Sequence, residues 1–144
     1  MIAYEAKFEP DRKGGFVIRF PDLPNATTQA DSLDDAQEMA TDALRTLFLG
    51  LMRLGEALPA PVKANRGKHF MRITLPALES AKIQLYRTWR ASGMRKSQLA
   101  AGIGIPRSHV DRLFDLNHAS RLNRIEAACR VLGKTLVVDV KDAA

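Results

Sequence analysis

Apolar side chains fall on every second position at Ile2, Tyr4, Ala6 and Phe8, and again at Phe16, Ile18 and Phe20. Two such runs separated by Asp11-Arg12-Lys13-Gly14-Gly15 predict an antiparallel hairpin, because each strand offers one apolar face and the glycines supply the turn. A third short strand, about 26–30, follows Pro21-Asp22-Leu23-Pro24-Asn25, where two prolines without N–H groups interrupt any ladder. Ser32 reads as a helix N-cap with Asp35 at the third helical position, its carboxylate near the positive end of the helix dipole. Ala36, Ala40, Ala43, Leu47, Leu51 and Leu54 then form one apolar stripe on a helix closing near Gly55. Residues 56–68, "EALPAPVKANRGK", lack periodicity and read as a loop. Alternation returns at Met71, Ile73 and Leu75 in a fourth strand, 69–75. The predicted order is β-β-β-α-β, with the helix on one face of a mainly antiparallel sheet.

Beyond Pro76 the period changes to that of helices. Leu78, Ala81, Leu85 and Trp89 mark an amphipathic helix over 76–91, with proline near its start and Ser92-Gly93 at its end. A second helix from about Lys96 turns Leu99, Ala100 and Ile103 inward and stops at Gly104, where a short inter-helix turn calls for positive φ. Pro106 opens a third helix with Val110, Leu113 and Phe114 buried and Arg107, Ser108, Asp111 and Arg112 largely outside. Ala100 is small where the second and third helices must approach. A fourth helix, 121–132, buries Leu122, Ile125, Cys129 and Leu132 and ends at Gly133. The last segment, "KTLVVDV" (134–140), has strand character but no strand beside it in a helical bundle, so it is expected to pair with its counterpart in a second chain. The fold class is therefore α+β, with a domain at 1–75 and an all-α domain at 76–144 that ends in a short strand.

Charge sharpens this division. The 144-residue chain carries +6, and residues 1–75 hold 10 Lys/Arg against 10 Asp/Glu, whereas residues 76–144 hold 12 against 6. The whole excess sits in the helical half, as in a protein that meets a polyanion. No apolar run approaches the ~18 residues of a membrane span, and the start lacks a signal-peptide pattern, so a cytoplasmic protein without membrane contact is expected. The single cysteine, Cys129, has no disulfide partner and no metal-ligand neighbours, and reads as core filler.

The run "GGFVIRFPDLPNATTQADSLDDAQEMATDAL" with the later "GEALPAP" resembles the N-terminal domain of the HicB antitoxins. The shared pattern is a Gly-Gly turn, an aromatic strand, a "PDLP" turn, a "TQGDS"-like segment, an acidic helix start and a proline-rich loop. Asn25 and Ala30 stand where the family usually has glycine; Asn tolerates the left-handed conformation, whereas Ala30 is strained if its position needs positive φ. The resemblance implies a partial ribonuclease-H-like domain. A two-metal nuclease needs carboxylates converging on ions ~3.5–4 Å apart. Here Asp11 and Asp22 fall in turns, and Asp31, Asp34 and Asp35 at the helix start, where turn formation and dipole pairing account for them. No enzymatic activity, catalytic residue, metal site or cofactor is expected.

Residues 78–133 resemble a Cro/repressor-type helix-turn-helix, carried by one branch of the same antitoxins. Carried over by position, Lys96 touches phosphate and Arg107, Ser108 and Arg112 lie on the recognition helix. Such a helix enters a major groove ~12 Å wide, where Arg can pair bidentately with guanine. His109 either reads a base or faces solvent, and His118 falls in the loop before the fourth helix. Asp111 and Asp115 oppose phosphate, and are expected to pair with Arg107 and Arg112 in the absence of DNA or to face away. Arg95 replaces the usual Ser/Thr cap, which weakens that cap by ~1 kcal/mol unless Arg95 is itself a phosphate contact. The resemblance implies an antitoxin of a type II toxin–antitoxin system. Its partners would be a HicA-type mRNA interferase toxin and double-stranded operator DNA, bound as a homodimer or tetramer. The sequence assigns no toxin-contacting residue. The competing readings are a stand-alone helix-turn-helix regulator with an N-terminal sensor domain and a vestigial nuclease carrying a DNA-targeting module.

Overall fold

The computed structural model describes residues 1–23, 25–62 and 67–143. Pro24 and residues 63–66 of the predicted loop lie outside the described residues. The fold is mixed α+β, and the chain divides into two compact units, Met1–Ser80 and Ala81–Ala144.

In the first unit, β1 (Ala3–Pro10), β2 (Phe16–Arg19), β3 (Thr27–Ala30) and β4 (Phe70–Thr74) form one sheet in the order β3-β2-β1-β4. Every pairing is antiparallel, with Phe8 opposite Ile18, Tyr4 opposite Ile73 and Phe16 opposite Ala30. The helix α1 (Leu33–Arg53) joins β3 at one edge to β4 at the other. Alternation makes this arrangement necessary: Tyr4, Ala6, Phe8, Ile18 and Ile73 project to one side of the sheet, are all buried, and need an apolar cover. The Tyr4 ring meets Phe48 edge-on at 5.3 Å, and the Tyr4 hydroxyl donates to the Pro59 carbonyl.

The predicted cap is present, since Ser32 Oγ accepts from the Asp35 N–H at 3.3 Å and donates to its carboxylate at 3.0 Å. The predicted stripe is correct only at its start. Buried positions run Ala36, Ala40, Leu44, Phe48 and Met52, while Ala43, Leu47 and Leu51 are half-buried and Leu54 is 76% exposed. Over five turns the large side chains Phe48 and Met52 take the centre of the contact, and the smaller-step row falls to its flank.

Asn25 does adopt the left-handed conformation, φ 68°. Ala30 has no positive φ and closes β3. The glycine requirement lies opposite it: Gly15 has φ +71°, and a Cβ there would stand 2.4 Å from the Ala30 carbonyl oxygen.

The helix α2 (Ala77–Ser92) begins in the first unit, where Ser80 Oγ accepts from the Ile2 N–H and donates to the Leu75 carbonyl, both at 3.0 Å. The unit boundary falls inside it. The second unit continues with α3 (Lys96–Ile103), α4 (Arg107–Leu113) and α5 (Leu122–Val131). Its core combines Ile83, Leu85, Tyr86, Leu99, Val110, Leu113, Phe114 and Ile125. Phe114 stands 5.4 Å from Tyr86, edge-on, and 5.1 Å from Trp89.

Two expectations change here, and a third segment stays without a strand partner among the described residues of the single chain. The α2 stripe buries Lys82, Ile83, Leu85 and Tyr86, with Ala81 and Trp89 only half-buried. Leu122 is 51% exposed because it opens the first turn of α5, and Ala128 takes an inward place beside Ile125 and Cys129. Residues 134–140 form no strand in the single chain, and Val137, Val138 and Val140 are exposed. An extended segment has no ladder partner in a unit made of helices.

Lys82 is fully buried and donates from Nζ to the carbonyls of Arg112 at 2.8 Å, Asp115 at 2.7 Å and His118 at 2.5 Å. Burial pushes its pKa down to about 8, against the opposing pull of the Asp115 charge. The Cys129 thiol, also buried, is pushed up, first by burial and then by the Glu126 charge.

Candidate nucleic-acid interface

The site is built on α3 and α4. Gly104 ends α3 with φ 83°, its N–H and that of Ile105 both bonding to the Ala100 carbonyl at 2.9 and 3.1 Å. Only a residue without Cβ enters this conformation freely. Pro106, at φ −58° and without an N–H to leave unpaired, then starts α4. Leu99, Ala100, Val110 and Leu113 are buried between the helices. A second close approach has no signal in the sequence: a Cβ on Gly102 would lie 2.7 Å from Val131 Cγ1, so α3 packs tightly on α5 there.

Arg95 occupies the N-cap of α3 and its side chain makes no cap hydrogen bond. Gln98 repairs half of that loss, because its Oε1 accepts from the Arg95 N–H at 2.9 Å. Lys96 Nζ lies 2.8 Å from Asp111 Oδ1, and 5.7 and 5.9 Å from the ring centroids of Trp89 and Phe114. Arg107 NH1 lies 2.8 Å from Asp111 Oδ2. Asp111 therefore joins cations from two helices, Lys96 as well as the expected Arg107, and not Arg112. Its carboxyl is held below the ordinary range, chiefly by the hydrogen bond from Lys96; burial opposes this, and the Lys96 and Arg107 charges add to the lowering. Asp115 instead accepts the Asn117 N–H at 3.0 Å. Ser108 is exposed on the outer side of α4.

His109 and Arg112 belong to a different group. They line a concave depression of about 550 Å³ together with His118, Ser120, Arg121, Asn123 and Arg124. No carboxylate lines it, and among the described residues none pairs with Arg112, Arg121 or Arg124. His118 Nδ1 and Ser120 Oγ are 3.1 Å apart, and Ser120 Oγ reaches the Arg112 carbonyl at 3.3 Å. Sequence reasoning missed Arg121, Asn123 and Arg124 as site residues, although Arg121 and Arg124 stand three apart at a helix start and so share a face. Three uncompensated guanidiniums on a concave surface suit phosphate, which Arg binds through paired N–H groups. Among the described residues no cluster of His, Cys, Asp or Glu could hold a metal ion, and no helix is long and apolar enough to cross a membrane.

Residues 3–84 match the family described as the HicB-like antitoxin of bacterial toxin–antitoxin systems. The chain belongs to that family. It is 33% identical over 135 residues to the antitoxin HicB of Escherichia coli strain K12, covering 94% of this chain and 96% of the relative. Over 140 residues it is 29% identical to antitoxin HicB 1 of Photorhabdus laumondii, covering 97% and 88%. Among solved structures, the Burkholderia pseudomallei antitoxin HicB covers 54% of this chain with 65% of its own, at 16% identity and a TM-score of 0.47. The resemblance read in "PDLP", the Ser32 cap and the proline-rich loop thus identified the family. Both family relatives span nearly the whole chain, including the helical unit.

Proposed function

We propose that this chain is the antitoxin of a type II system in which the first unit, a partial ribonuclease-H-like domain, occludes a HicA-type mRNA interferase. In the same reading α3 and α4 form a helix-turn-helix that binds operator DNA and represses the operon. The protein works in the cytoplasm by occlusion and needs no chemistry of its own. The observation that carries the DNA arm is the grouping of cations around α4: Lys96 and Arg107 on one side, Arg112, Arg121 and Arg124 around a carboxylate-free depression on the other. Family membership carries the toxin arm.

Co-expression with the neighbouring gene and mobility shift on the chain's own promoter test the two arms separately. A co-purified complex with a small basic RNase and a sequence-dependent shift are expected. No complex would overturn the first arm, and equal binding to promoter and random duplex the second. Arg107→Ala is expected to relax base preference at one position by about 1–3 kcal/mol, whereas Lys96→Ala leaves base preference unchanged. Equal promoter discrimination by the Arg107 variant and the parent would remove Arg107 from base readout.

Residues 134–140 complete the proposal by pairing with a second copy. Their exposed valines and unladdered backbone support this, and a two-fold dimer matches half-sites ~34–36 Å apart. Truncation before Thr135 is expected to give a monomer by light scattering; an unchanged dimer would place the interface elsewhere.

A further inference from the structure

One carboxylate holds both cations nearest the exposed edge of α4. Each oxygen of Asp111 takes one partner at 2.8 Å, Lys96 from α3 and Arg107 from α4. Lys96 is further fixed by lying over the Trp89 and Phe114 rings. The pair of cations therefore carries an internal counter-charge, whereas the guanidiniums around the depression carry none.

Resting on the operator-binding reading above, we propose that Asp111 is a specificity-determining residue: it withholds Lys96 and Arg107 from arbitrary phosphates and orients Arg107 for a base edge. A phosphate that captures either cation must displace Asp111 and leave its carboxylate facing the DNA backbone. Nonspecific binding consists almost wholly of such phosphate contacts, so it bears the full electrostatic cost. A guanine edge asks for something different. The guanidinium has five N–H groups, and Asp111 uses one on NH1. The remaining fork can meet the O6 and N7 acceptors of guanine while the carboxylate keeps the arginine in one orientation. Asp111 thus opposes random DNA and assists the matched site. Asp111 is half exposed and is not among the buried core residues, so its substitution removes no core packing.

The test compares the full-length parent with Asp111→Asn, Asp111→Ala and Asp111→Glu on the promoter fragment and on a random duplex, by fluorescence anisotropy from 50 to about 200 mM salt. The Asn and Ala variants are both expected to bind the random duplex about tenfold tighter, with a salt slope steeper by about one. Promoter affinity does not follow, so the specificity ratio falls about tenfold. The Glu variant restores most of the ratio. Unchanged random-duplex affinity, or an equal gain on both duplexes, would overturn the proposal. A parent that fails to distinguish the two duplexes would instead overturn the operator reading. The random-duplex arm then still decides whether Asp111 withholds the cations.

Discussion

Replacing Arg112, Arg121 and Arg124 together by alanine is expected to lower promoter affinity about a hundredfold near 150 mM salt, and to lower random-duplex affinity by the same factor. These three guanidiniums surround one depression, and no carboxylate lines it or pairs with them among the described residues. A phosphate entering it displaces solvent and mobile counterions, not a protein partner. Every arginine–phosphate pair that is removed takes about 0.9 from the slope of log affinity against log salt, so the triple variant should flatten that slope by almost three. Phosphate contacts carry no sequence information, which is why promoter and random duplex should weaken equally. Arg130→Ala is the control, because Arg130 already pairs with Glu126 at 2.7 Å. It should leave both affinities within about a factor of two, as an exposed ion pair contributes little. Anisotropy titrations at four salt concentrations check this result. An unchanged slope in the triple variant would remove the depression from the DNA interface.

The contrast between this depression and the α3–α4 edge shows where sequence reading reaches its limit. The elements were legible because each rests on a local rule. Ser32 caps α1 through an interaction three residues long, Gly104 and Pro106 bound a turn, and alternation in β1 and β2 fixes which face is buried. The α1 stripe was legible for two turns and then misplaced. Alanine, leucine and phenylalanine all satisfy an apolar pattern, and only the volume between helix and sheet decides that Leu44 and Phe48 are central. Of the residues predicted to meet DNA, the structure brings Lys96 and Arg107 together through Asp111, and puts His109 and Arg112 beside Arg121 and Arg124. Arg95 and Ser108 remain exposed without such a partner group among the described residues. The second grouping depends on how the loop after α4 returns to α5, which no helical period encodes. Gly102 was missed for the same reason, since its fit against Val131 joins positions 29 apart in sequence.

Lys82→Met is expected to destabilise the second unit by about 3 kcal/mol at pH 7, the scale of breaking a buried, hydrogen-bonded charge. Lys82 lies on the buried side of α2, and its ammonium gathers the carbonyls of Arg112, Asp115 and His118. The first belongs to the last turn of α4, where a positive charge meets the negative end of the helix dipole. The other two belong to the loop that presents His118, Ser120 and Arg121 to the depression. Methionine fills much of the same volume but supplies no donor, so the loop loses its common anchor. The pH dependence follows from linkage. The folded-state value near 8 lies below that of an ordinary lysine, so between about pH 8 and 10.5 the unfolded chain binds the proton that the folded chain releases. Stability contributed by this group therefore rises with pH through that window. The methionine variant lacks the rise, and the gap between parent and variant in urea unfolding should widen from pH 7 to pH 9.5. A gap that narrows would mean that the three carbonyls retain the proton more strongly than burial expels it, reversing the balance between those two effects at Lys82.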